Sequence, residues 1–185
     1  MSDIEVITHS ERVEALFAPF RDTLGSDYLG YRNHVYRCIS YAMYFHPEQA
    51  SRSIVETAFV YHDIGLWTDR ACAYLEPSEA RALEDNERFG WGFDPEALRA
   101  AIHWHHKITP YRGPHAAMVE ACRKADWIDA NKGLLRKGLS RAQISKVEAA
   151  LPNEGFHDSL VRLARENGGS TLGGLLQVLR GIVKW

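Results

Sequence analysis

Cysteine is scarce in this chain and unpaired in pattern: Cys38, Cys72 and Cys122 are an odd number with no CxxC spacing. That argues against a disulfide framework and fits a reducing compartment, so a cytoplasmic setting is expected. An excess of one charge is missing too. The formal net charge is -2, so bulk electrostatics predicts neither a nucleic-acid polymer nor an anionic membrane as partner. No apolar run approaches the roughly 20 residues needed to span a bilayer. The N-terminal "MSDIEVITHSERVEA" lacks a basic region followed by an apolar one. Strand-like alternation is nearly absent, and there is no internal repeat or low-complexity segment.

Helical periodicity is what remains. The 185 residues suit one all-α domain with a substantial core. Val13, Leu16, Phe17, Phe20 and Leu24 form an apolar stripe that Pro19 should bend or split, with Gly25 as a stop. A second helix is expected from about Tyr28 to His46, limited by Pro47, and a third from about Ser51 to Tyr61, with Gly65 easing its exit. Further helices are expected near 78–89, from the Asp94-Pro95 start onward, between Gly113 and Gly133, and near 140–150, 156–167 and 171–183. The last should bury Leu175, Leu176, Leu179 and Ile182 against the bundle or a second subunit, so a homodimer is a candidate assembly.

Histidine and aspartate stand out against this background. His62 and Asp63 are adjacent at a helix end, where both side chains can curl toward one ion. His34 lies inside an aromatic helix, "YLGYRNHVYRCISYAMYF", and Asp126 is flanked by Ala125, Trp127 and Ile128. If buried, each needs a partner, and a divalent cation serves both. Together His34, His62, Asp63 and Asp126 offer two nitrogens and two carboxylates from three helices. Such mixed ligation suits Mn, Fe, Co, Ni or Zn, with Mg if substrate phosphates complete the shell. Positions left open for water or substrate distinguish a catalytic site from a structural one.

These residues resemble the HD-domain superfamily of metal-dependent phosphohydrolases: His34 in "YRNHVYRC", the doublet in "YHDIG", the "HHK" segment and Asp126 in "RKADWIDA". The resemblance spans roughly 25–135, the expected metal-binding core, with 136–185 as a C-terminal packing segment. It implies an all-helical HD-type bundle in which the four matching residues bind metal and a small phosphate ester, such as a nucleotide, is hydrolysed. Periodicity does not choose a ligand within "IHWHHK"; the resemblance favours His105 and then His106. Dinuclear members usually carry another histidine before that segment, and none lies between Asp63 and His103, leaving Glu79 as the nearest substitute. One ion or two therefore both stand as expectations.

Asp126, His105, His106 and Glu79 are the candidate catalytic groups, and Lys107, Arg112, Arg37 and Tyr31 the candidate substrate contacts. Arg32 and Lys124 are further cations within a turn of the site residues. The Gly-Tyr-Pro segment of cyclic-dinucleotide phosphodiesterases is missing from "YRGP". Alternatives are a dinuclear-iron oxygenase, a small-molecule hydratase or amidohydrolase, and a non-catalytic metal-binding interaction domain. A second doublet, His157-Asp158, has no nearby histidine set and reads as structural.

Overall fold

The computed structural model describes residues 3–170 together with 172, 173 and 176. Seven helices of ten residues or more, joined by short helical turns, form one all-α unit with no strand among the described residues. Helix α1 (Glu11–Phe17) is cut from α2 (Arg21–Leu24) by a 3-10 turn over Ala18–Phe20, where Pro19 cannot donate to a continuing ladder. Gly25 closes α2 with φ of +52°. The long α3 (Tyr28–Phe45) is buried on nearly every face and is the centre of the bundle.

Around it stand α4 (Gln49–Tyr61), the short α5 (Gly65–Thr68), α6 (Leu75–Arg88), α7 (Pro95–Trp104), α8 (Ala116–Ala130), α9 (Arg141–Ala150) and α10 (Phe156–Asn167). The main packing is α3 on α8 and α4, α7 among α4, α6 and α8, and α1 across α4. Asp94 caps α7 by accepting from the Glu96 amide at 2.9 Å, and Ser140 with Gln143 forms a capping box on α9.

Two boundaries differ from the sequence reading. Helix α6 begins at Leu75 rather than near 78, because a proline in the first turn removes an amide that has no intrahelical partner anyway. Gly65 is not a left-handed exit. The turn after α4 runs straight into α5, and a Cβ at Gly65 would meet the Tyr74 carbonyl oxygen at 2.6 Å and Ser78 Oγ at 3.0 Å. Glycine there permits the close approach of α5 to α6. Most of the helix expected near 171–183 lies outside the described residues, Leu175, Leu179 and Ile182 with it; Leu176, expected to be buried, is 49% exposed. No helix among the described residues is long and apolar enough to cross a membrane.

Candidate metal centre

Four helices bring their side chains to one interior point. His34 comes from the middle of α3, Asp126 and Asp129 from α8, while His62 and His105 occupy the C-cap positions of α4 and α7. A helix end leaves carbonyls without intrahelical donors, and both cap histidines use one. His62 Nδ1 donates to Phe59 O at 2.6 Å, and His105 Nδ1 to Ile102 O at 2.6 Å. His34 Nδ1 donates to Asp129 Oδ2, also at 2.6 Å.

Carbonyls and carboxylates only accept, so each Nδ1 must carry a proton, which leaves each Nε2 facing the centre. That arrangement orients imidazoles for a cation. His34 Nε2 and His62 Nε2 lie 3.0 Å apart, and His62 Nε2 is 3.2 Å from Asp63 Oδ2. His105 Nε2 is 3.4 Å from Asp63 Oδ1, while Asp126 Oδ1 is 3.7 Å from His34 Nε2 and 3.8 Å from His62 Nε2. Two ligands at 2.0–2.1 Å from one ion, at octahedral or tetrahedral angles, sit about 2.9–3.4 Å apart. The shorter spacings fall within that interval. A single extra proton could bridge only one of these contacts, whereas a central cation would serve them all.

The carboxylates differ in what faces them. Burial acts to raise Asp63, but His62 and His105 outweigh it and hold its pKa well below the ordinary carboxylate value. Asp126 accepts no hydrogen bond among the described residues; burial, with Asp63 and Asp129 nearby, pushes its pKa up to about 7 against the pull of His105. Burial lowers His34 to about 4, so its ring is neutral near pH 7. A divalent ion would resolve the apposition of Asp63 and Asp126. The residues that could hold it fall into three overlapping groups, His34–His62–Asp63, His34–Cys38–Asp126 and His62–His105–Asp126, each with ligand atoms within 4.8 Å of one another.

Behind the ring nitrogens stands a supporting layer. Arg37 Nε donates to Asp129 Oδ1 at 2.5 Å and its Nη2 to Asp129 Oδ2 at 2.8 Å, while Nη1 reaches Leu151 O at 2.9 Å. Burial would raise Asp129, yet Arg37 and His34 keep it far below the ordinary value. Arg37 is thus spent on the carboxylate that orients His34 and is 2% exposed, not a substrate contact. Tyr31 is likewise withdrawn from substrate. Fully buried, it donates to Val60 O at 3.0 Å, accepts from the Asp63 amide at 3.3 Å and stacks beside His34 and His62. Phe156 of α10 stacks on the His34 ring at 4.1 Å and 15°.

The opposite side carries the remaining candidates. His106 Nδ1 lies 2.8 Å from His105 Nε2 and 3.0 Å from the Tyr74 hydroxyl, and its buried Nε2 has no hydrogen-bond partner. Glu79 Oε1 accepts from His103 Nδ1 at 2.6 Å and joins none of the three ligand groups. Lys107 is 4% exposed, with Glu76 and Glu79 nearby. Arg112 is exposed and makes no ion pair among the described residues. Arg32 pairs with Glu14, and Lys124 lies over the Phe45 ring. His157 accepts a structural role, its Nε2 donating to Asp129 O at 3.0 Å.

Asp129, Cys38, Tyr74 and Phe156 were not picked out by sequence reasoning. Asp129 and Cys38 had a usable signal, three residues after Asp126 on α8 and four after His34 on α3, each on the same helical face as its neighbour. No family model, no curated protein and no solved structure matches the chain. What stands is an all-helical fold holding a buried His/Asp cluster able to bind a metal, an arrangement compatible with an HD-type domain.

Proposed function

We propose that this chain is an HD-type, metal-dependent phosphohydrolase acting on a small phosphate ester, with nucleotides among the candidates. The observation that carries this reading is the convergence of three Nδ1-clamped imidazoles and two buried carboxylates on one point. A divalent ion held by His34, His62, Asp63 and Asp126 would polarise a phosphoryl oxygen and ease deprotonation of a water. Asp126 would orient that water or accept its proton on its carboxylate. Lys107 would offer charge toward phosphate oxygens. Tyr74 stays protonated, since burial and Asp63 raise it well above 10, and its hydroxyl fixes the His106 ring.

Metal-depleted protein should regain phosphate release from a panel of nucleotides and sugar phosphates when Mn, Co, Zn or Mg is restored. Asp126→Ala should abolish it with the helical circular dichroism retained. Bound metal without release across the panel would overturn the hydrolase reading. One feature favours a dinuclear-iron oxygenase as second reading: the two oxygens of Asp63 face different histidines, His62 and His105, as a bridging carboxylate would. Two irons in anaerobically purified protein, with substrate-dependent oxygen uptake, would select it.

A further inference from the structure

The formal charge of -2 conceals one lopsided stretch: between Asp129 and Glu148 the chain carries Lys132, Arg136, Lys137, Arg141 and Lys146 and no acidic residue. Lys146 is answered by Asp3 at 2.6 Å. The other cations are exposed and make no ion pair among the described residues. In their midst the turn from α8 to α9 exposes two leucines, Leu134 at 83% and Leu135 at 44%. The turn has a defined shape. Lys132-Gly133 and Lys137-Gly138 take positive φ, 51° and 70°, then 48° and 109°, on either side of the leucine pair. The Gly133 amide donates to Ile128 O at 2.8 Å and the Leu134 amide to Asn131 O at 3.0 Å, while Leu139, 3% exposed, anchors the far end in the core. A second segment joins this face. Trp127 Nε1 donates to Lys107 O at 3.2 Å, the Lys137 ammonium lies 5.3 Å from the Trp127 ring centroid, and next to Lys107 stands Ile108, 58% exposed.

We infer that this face docks on an anionic lipid bilayer, with Leu134 and Leu135 entering the hydrocarbon and Lys132, Arg136, Lys137 and Arg141 resting among the headgroups. A bilayer pairs the same two chemistries, an apolar interior beneath a negatively charged surface. Long cationic side chains keep their charge at that boundary while their stems lie along apolar surface. A half-buried tryptophan such as Trp127 suits the same interface. Other occupants match less of the face. Nucleic-acid phosphates would satisfy the cations and leave the leucines in water. A second copy docked about a two-fold axis would set these cations against their own equivalents, where like charges repel.

The test is flotation of the full chain with vesicles of phosphatidylcholine alone and of phosphatidylcholine mixed with phosphatidylglycerol. Binding to the mixed vesicles, absent from phosphatidylcholine alone and weakened by added salt, is expected. Arg136→Gln/Lys137→Gln should weaken it about 25-fold, roughly fivefold for each cation removed. Leu134→Ser/Leu135→Ser should weaken it by about tenfold or more. These side chains are exposed, so the helical circular dichroism should be retained. Phe89→Ser, which removes an apolar side chain 58% exposed at the end of α6, should leave binding unmoved. Equal flotation with both kinds of vesicle, or with neither, would overturn the proposal, and that comparison needs no variant. Mixed-vesicle binding undiminished in the leucine variant would overturn the inserted turn. Capture of a short DNA duplex by protein that ignores the mixed vesicles would overturn the bilayer in favour of a nucleic acid.

Discussion

Three aspartates around the His34 ring show how neighbours decide what a buried carboxylate does. Asp129 is held ionised by Arg37 and orients His34, Asp63 is held ionised by His62 and His105, and Asp126 has no donor and keeps its proton up to about pH 7. In the metal-free fold the raised Asp126 contributes stability at low pH that is lost as pH climbs through about 7. His34, lowered to about 4, contributes the opposite: stability present above its ordinary value and lost as pH falls through 4. Metal affinity has no such cancellation, because His34 is already unprotonated where Asp126 must still give up its proton. Affinity should therefore rise with pH through about 7, as Asp126 gives up its proton to the ion. Calorimetric titration in buffers of different ionisation enthalpy counts that proton; a flat profile contradicts the assignment. His34, His62, Asp63 and Asp126 were legible because each is a polar residue in an apolar or helix-terminal setting. Arg37 was not, since a cation one turn from a histidine reads alike whether it meets solvent or a carboxylate 92 residues away.

At the scale of helices, periodicity and punctuation were enough to place the long ones, and the errors fell where backbones touch. Gly30 is the clearest case. It lies inside α3, where alanine is intrinsically the better residue by about 1 kcal/mol. A Cβ there would meet Glu154 O at 2.8 Å and the Phe156 amide at 3.2 Å, at the junction of α3 with α10. Gly30→Ala should therefore destabilise the protein, by about 1–3 kcal/mol in denaturant titration, reversing the sign that helix propensity gives. A gain in stability would show that α10 yields freely. Neither Gly30 nor Gly65 announced this role, because a close approach belongs to two segments and only one is visible at a time.

Taken whole, the molecule does not divide cleanly into a metal-binding core and a packing segment. Asn33 donates to Pro152 O at 2.8 Å, Arg37 donates to Leu151 O, and Phe156 stacks on His34, so residues beyond 135 form the back wall of the centre. Phe156→Ala should cost about 3–5 kcal/mol in urea unfolding. It should also weaken Co(II) binding, which a remote packing residue would leave untouched.

The Asn33 contact spans 119 residues and the Arg37 contact 114. During synthesis α3 leaves the ribosome long before the segment that braces it, at about 5–20 residues per second. For those seconds His34 lacks its ring partner and Arg37 its carbonyl acceptor. Loading of a divalent ion would consequently be a late event in the life of the nascent chain, and a ribosome-stalled fragment ending before Leu151 would present an unfinished socket.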